Sequence, residues 1–413
     1  MGNALKTRSD TNGESILIFE NYEPNPKVSI NNLIEEKSQL AATTVGDYAI
    51  FAGGFSISDG VHYSSAANVY SNNLTKSTLE LSEGRSDLAA TTVGVYALFG
   101  GGVIYGDSSI SAHRKTVEFF NNKLVRGNAP ELDEGRNSLS ATTVGRYALF
   151  GGGYTGNRTS RVDAYNTSLT KTSVSSLSEQ KSTYAATSNG NYALFGGGYT
   201  NGSQSNVVTV DAYNLNLVKT TAPSLSRGRS GLAATAINSY ALFGGGTGPN
   251  GPYQNALDVY SANLTRTTAP ELRVARCYLA ATTNNDYAFF GGGRIGEDFH
   301  SLSSISPTVD VYSSNLTRDS VPDLDLGRDY LAAASVGCYS IFGGGTTYGS
   351  EGTKYCATVD AYTLAPFKLT LYKNSIYKFQ DMYAEVTVEA DIETKTIATP
   401  ATGYIKLKKA TLS

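Results

Sequence analysis

Three histidines, three cysteines and a recurring lysine or arginine are the side chains of this 413-residue chain best suited to metal, thiol or anion chemistry. His62, His113 and His300 could in principle ligate a transition metal. They sit in three widely separated segments with no short ligand spacing, so no metal site is expected. Cys277, Cys338 and Cys356 are odd in number and form no CxxC, which argues against a disulfide framework or a zinc site and predicts free, mostly buried thiols. Gly151-Gly152-Gly153-Tyr154-Thr155-Gly156 formally fits GxGxxG. A dinucleotide site needs that motif to open a helix, and here a loop and another strand pattern follow. No Walker motif, HExxH, GxSxG or paired-carboxylate signature is present, so neither a cofactor nor a catalytic residue is expected.

The basic residues are of another kind. Lys37, Arg85, Arg136, Lys181, Arg229, Arg276 and Arg328 recur 45 to 52 residues apart, and each opens a copy of one segment. The copy at 84–102 reads GRSDLAATTVGVYALFGGG. Self-similarity at this period is the mark of a repeat architecture. Each copy resolves into four short strands. The first is built of Ala and Thr, as in 88–93. A Gly- or Asn-containing pair such as Gly94-Val95 makes a tight turn, because these residues tolerate the positive φ that two-residue hairpins need. The second strand, YALF or a variant, ends in a glycine run. The third ends at Tyr70, Phe120, Tyr165, Tyr213, Tyr260, Tyr312 or Tyr362. The fourth is polar, with Lys, Arg and Thr that protect an exposed edge from pairing with other chains. Such a unit cannot bury its own faces, and seven of them arranged radially make an all-β, seven-bladed β-propeller.

The basic opening residue, the hydrophobic strand ending in a double glycine and the V-[DE]-x-Y strand after it resemble the kelch repeat, as in kelch-like proteins of bacteria and their phages. Asn68 replaces the acid in the first copy and Phe120 the tyrosine in the second. The family normally carries a Trp about six residues after the Tyr, and this chain has no Trp. A Leu four residues on (Leu74, Leu124, Leu169, Leu217, Leu264, Leu316) is expected to fill part of that space. The resemblance covers about four fifths of the chain and implies a fold; kelch propellers mostly bind proteins or sugars, so it implies a binding role more weakly.

Seven loops of variable length, 55–67, 103–116, 154–161, 199–208, 247–256, 294–308 and 346–357, join strands two and three and share one face. They carry residues that the repeat does not explain: Tyr63, Tyr105, His113, Tyr154, Arg158, Tyr199, Tyr253, Arg294, His300, Tyr348 and Tyr355. Variable loops on a rigid scaffold are where binding usually sits, and aromatic faces suit sugar rings or protein hot spots. The basic residues opening each unit are expected near the channel mouth on the same face. A ring of cations could hold an anion. With Glu83, Glu134, Glu179 and Asp329 close in sequence, a structural role tying neighbouring blades is the better reading. The expected function is a non-enzymatic binding propeller for a carbohydrate or protein surface, with a purely structural propeller as the alternative and a sugar-active enzyme acting in the channel mouth as the less favoured third.

The ends depart from the repeat. Residues 1–15 read as a flexible arm, 16–365 as the propeller with 16–36 as its closing segment (Ile16–Phe19 as the sealing strand), and 366–413 as a small β tail suited to assembly. Lys368–Tyr372 is a second candidate for the last outer strand. The formal charge is −3, from 33 basic and 36 acidic residues. This lacks the basic bias of a nucleic-acid binder. No stretch is long and apolar enough to span a membrane, and the first residues lack the apolar core of a secretion signal. Cytoplasmic synthesis, with incorporation into a virion or surface assembly such as a phage tail, is therefore expected.

Overall fold

The computed structural model describes residues 6–9, 15–18, 27–58, 60–105, 111–200, 206–249, 251–284, 287–298, 300–363, 367–372, 376–379, 385–387, 392–397 and 404–408. Lys27–Thr363 forms one unit of seven antiparallel four-stranded sheets. In blade two, Ala89–Val93 pairs with Tyr96–Gly100, which pairs with Val117–Asn121, which pairs with Arg126–Ala129. First strands touch their neighbours in a closed circuit from Ala41–Val45 through Ala332–Val336 and back. Their Ala and Thr leave a polar channel of about 400 Å³, and threonine hydroxyls bond across blades, Thr43 to Thr92 at 2.9 Å and Thr91 to Thr143 at 2.8 Å.

The cores lie between blades. Ala41, Val45 and Ile50 of blade one pack with Leu81, Leu88, Ala97, Phe99 and Phe120 around blade two. Phe99 meets Phe120 edge-on at 6.0 Å, and Phe150 meets Tyr165 at 5.9 Å. Each such buried ring contributes about 1.5–3 kcal/mol. Among the described residues, no helix is long and apolar enough to cross a membrane.

The seven basic residues are fully buried inside their own blades and do not stand at the channel mouth. This corrects the expected ring of cations there. Their partners are the acids of the third strands: Arg85 pairs with Glu118 at 2.7 Å, Arg136 with Asp163 at 2.6 Å, Lys181 with Asp211 at 3.4 Å, Arg229 with Asp258 at 2.8 Å, Arg276 with Asp310 at 2.9 Å and Arg328 with Asp360 at 2.7 Å. The same carboxylates accept the backbone N–H three residues before the basic residue, as Ser226 donates to Asp258 and Asp325 to Asp360. Each cation except Lys37 also donates to the carbonyl of a strand-two phenylalanine, from Phe99 to Phe342. The tie between blades is made by the basic residue's own carbonyl. It accepts from the last glycine of the preceding blade, from Gly54 with Arg85 round to Gly345 with Lys37. That glycine has φ +107° to +119°, and at Gly246 a Cβ would lie 2.9 Å from the Ser230 carbonyl.

The six leucines take φ of 58–63° in the turn between strands three and four, and are only partly buried. Six residues after each aromatic stands a second cation, directly across the ladder from it: Lys76, Arg126, Lys171, Lys219, Arg266 and Arg318. Lys171 reaches Asp163 at 2.6 Å and Arg266 reaches Asp258 at 2.9 Å. Lys219 likewise lies 3.8 Å from Asp211, whereas Lys76, Arg126 and Arg318 donate to the backbone carbonyls of Asn32, Glu80 and Glu271.

Blade seven is closed by Lys27–Val28, not by Ile16–Phe19 or Lys368–Tyr372. Lys27 lies opposite Tyr362 and Val28 opposite Ala361. Lys27 repeats the second-cation role, with Asp360 at 2.6 Å, and Val28, Ile30 and Leu33 pack into the seam between blades seven and one. Ser15–Ile18 pairs with Lys6–Ser9, inside the stretch expected as an arm, and with Tyr404–Lys408. Phe367–Tyr372 pairs with Ile392–Ile397. The second unit, Met1–Pro26 with Leu364–Ser413, is therefore a β structure drawn from both ends of the chain.

Removing the Asp258 carboxylate leaves Arg229 and Arg266 without their acid. Asp258→Ala is expected to cost about 3–5 kcal/mol in urea unfolding, whereas exposed Asp319→Ala stays within about 0.5 kcal/mol. In blade one, Asn68 stands where the acid should be, and its Nδ2 is buried without a partner. Burial pushes Lys37 down to about 8 from the usual 10.5. A lysine depressed in this way costs stability while charged, so the parent gains stability as pH rises from about 8 to 10.5. Asn68→Asp is expected to add about 1–2 kcal/mol at neutral pH and to flatten that slope in thermal melts.

Candidate functional site

Repeat geometry places the variable loops around the channel mouth. The residue after each basic residue bridges to the first residue of the loop leaving strand two: Ser38 to Phe55, Ser86 to Val103, Asn137 to Tyr154, Ser182 to Tyr199, Ser230 to Thr247, Cys277 to Arg294 and Asp329 to Thr346. One residue further on stand Gln39, Asp87, Ser138, Thr183, Gly231, Tyr278 and Tyr330, all with φ of 49–62°. The N–H of each donates to the carbonyl of its equivalent in the preceding blade at 2.7–3.3 Å, and the seven bonds close on themselves. Six residues other than glycine hold this sparsely populated conformation because the circuit over-determines it. Together with the leucine or tyrosine that follows each, they line a cavity of about 330 Å³.

Around this mouth the loop aromatics fall into two groups. Tyr355, Phe55, Tyr63 and Tyr105 form a run across blades seven, one and two, with ring centres 5.8, 5.1 and 6.5 Å apart in that order. Tyr105 is 52% and Tyr154 37% exposed. His113 stands edge-on to Tyr154 at 5.8 Å, and the Arg158 guanidinium covers the Tyr199 ring at 4.6 Å. The second group is turned inward. Tyr348 is 2% exposed and donates to Asp329, so it braces the site instead of meeting a ligand, which corrects its place among the binding candidates. Arg294 pairs with Asp329 at 2.6 Å and lies 5.3–5.5 Å from the rings of Tyr278, Tyr330 and Tyr348. Tyr253 donates to the Gly296 carbonyl. His62 lies 3.3 Å from Glu35 and His300, 72% exposed, lies 3.9 Å from Asp298. Among the described residues, no group of three or more His, Cys, Asp or Glu is placed to hold a metal ion.

Sequence reasoning missed the mouth residues themselves. Tyr278 and Tyr330 stack at 4.3 Å and 23°. The Tyr278 ring leans over Gly231, where an added Cβ would come within 3.0 Å of it. Burial raises both phenols and pushes the neighbouring Cys277 thiol up to about 12, leaving it inert as a nucleophile. Asp87 is the one acid lining the cavity. Enclosure by protein pushes it up to about 6, against a hydrogen bond from Asn137 that favours its ionised form. A signal was available: the second position after the basic residue reads Gln, Asp, Ser, Thr, Gly, Tyr, Tyr, a column without a consensus inside the most repetitive stretch of the chain.

No family model matches the chain. No curated protein matches it either. Among solved structures, that of YjhT is similar with a TM-score of 0.55 and 11% identity, over 71% of this chain and 99% of the other. At that identity the likeness shows the fold, a seven-bladed β-propeller, and nothing finer.

A carboxyl raised above its usual range destabilises the folded state while ionised, so its cost is absent near pH 4 and complete above about pH 6. Asp87→Asn is expected to raise the melting temperature at pH 8 and to leave it unchanged at pH 4, measured by differential scanning calorimetry.

Proposed function

We propose that the chain is a divergent kelch-like binding propeller whose variable-loop face recognises a carbohydrate surface. The observation that carries this reading is the run Tyr355–Phe55–Tyr63–Tyr105, four rings at nearly regular spacing on a rigid rim, continued by Tyr154 and Tyr199. Such rings offer apolar faces to the C–H side of sugars, and their hydroxyls offer hydrogen bonds at small entropic cost. A protein partner would use the same rings as anchors. The reading takes the chain as a binding protein, with Asp87 the one acid among the described residues that line the cavity.

The rival reading is a structural propeller within a larger assembly, such as a phage tail or surface particle. The second unit, drawn from both ends of the chain, favours it as an attachment device. The triple variant Tyr105→Ala, Tyr154→Ala, Tyr199→Ala separates the two. In a glycan-array and cell-surface pull-down it is expected to lose at least about tenfold in binding, since a few buried aromatic anchors dominate such affinities, with a nearly unchanged melting temperature. Capture of a protein in place of a glycan would shift the ligand class, undiminished binding would move the site off the rim, and no binding by the parent would favour the scaffold reading.

A further inference from the structure

We propose that the channel mouth binds a primary ammonium carried on a hydroxylated ring, that is, an amino sugar, with Asp87 receiving the ammonium and the Tyr278–Tyr330 pair supporting the ring. The proposal rests on the loop face being the binding face, and it adds a central site distinct from the aromatic rim.

The cavity of about 330 Å³ is at the lower end of small-molecule pockets. Its lining side chains differ from blade to blade as the frame does not. Gln39, Ser138 and Thr183 supply neutral donors and acceptors, Tyr278 and Tyr330 an aromatic shelf, and Asp87 the one formal charge. Blade six, which carries Tyr278, lies across the sevenfold ring from blade two, which carries Asp87. A ligand spanning the mouth therefore meets a carboxylate at one end and ring faces at the other. At Gly231 an added Cβ would lie 3.0 Å from the Tyr278 ring and press on the shelf.

The charge pattern selects a cation. The arginines nearest in sequence to Asp87 and Asn137 are fully buried, Arg85 with Glu118 and Arg136 with Asp163. Arg294, behind the shelf, is held by Asp329. Among the described residues no basic side chain lines the cavity, so an anionic ligand meets no counter-charge from them. The titratable groups around the Asp87 carboxyl are the Tyr105 phenol on the rim and, across the mouth, Tyr278 and Tyr330, all neutral near pH 7. Beside Asp87, and outside the cavity lining, Asn137 is 5% exposed and its Oδ1 is buried without a partner.

Isothermal titration of the full chain with glucosamine, N-acetylglucosamine and glucose tests this directly. At about pH 7.5, glucosamine is expected to bind at least about tenfold more tightly than the two neutral sugars, and Asp87→Asn to lose at least that factor. Affinity should fall as pH drops below about 6 and the carboxyl takes up a proton. Tyr278→Ala should weaken glucosamine while leaving the melting temperature close to that of the parent. Absence of glucosamine binding, equal binding of N-acetylglucosamine, or full binding by Asp87→Asn would overturn the proposal. Ethanolamine binding as tightly as glucosamine would remove the ring from it. The triple rim variant keeps every mouth residue and should bind glucosamine like the parent; loss there would move the site to the rim. If glucosamine fails while the rim variant still loses its surface partner, the mouth assignment falls and the loop-face reading stands.

Discussion

One buried charge pair, repeated around the ring, organises this molecule. A cation alone in a blade interior would cost several kcal/mol, and the third-strand acid makes it tolerable. Its presence then fixes three separate pieces of chain. The carboxylate clamps the incoming connection, the cation's head caps a strand-two carbonyl, and the cation's backbone carbonyl receives the last glycine of the preceding blade. Blade interior and blade-to-blade seam therefore depend on the same residue. In blades three, four, five and seven a second cation on the outer strand shares the same acid.

Much of this frame was legible in the residues. The period, the Ala/Thr inner strand and the glycine run specify a radial array, because each is needed where backbones crowd an axis. The partner of each basic residue was in view, too. The acid of V-[DE]-x-Y is an in-blade counter-charge some thirty residues downstream, and acids close in sequence such as Glu83 drew attention away from it. Closure was harder to read. Lys27 and Lys368 offer the same local pattern of a cation opening a polar strand, and what decides between them is packing of Val28, Ile30 and Leu33 into a seam that exists only once the ring is formed.

The candidate site was half legible for a similar reason. Loop tyrosines stand out because no repeat accounts for them, yet sequence alone does not separate those that face outward from those that brace the loop from within, as Tyr348 does through Asp329. The mouth residues were hidden by their setting. They sit between two strongly patterned segments and read as noise within a motif. Noise at one fixed position of a rigid repeat is what variation under different demands looks like when the scaffold is held constant.

The closed circuit of left-handed residues has a consequence for how this surface can change over time. Every N–H and carbonyl it contains that points along the ring is consumed by a neighbour, so the mouth offers an incoming molecule almost no main-chain chemistry. Discrimination must then reside in six side chains and the open position at Gly231, each anchored to the same platform. Such an arrangement behaves like a keyboard with a few linked keys: a substitution at Gln39, Ser138 or Thr183 alters one contact while the ring beneath stays as it was, and one at Gly231, Tyr278 or Tyr330 acts on its neighbours too.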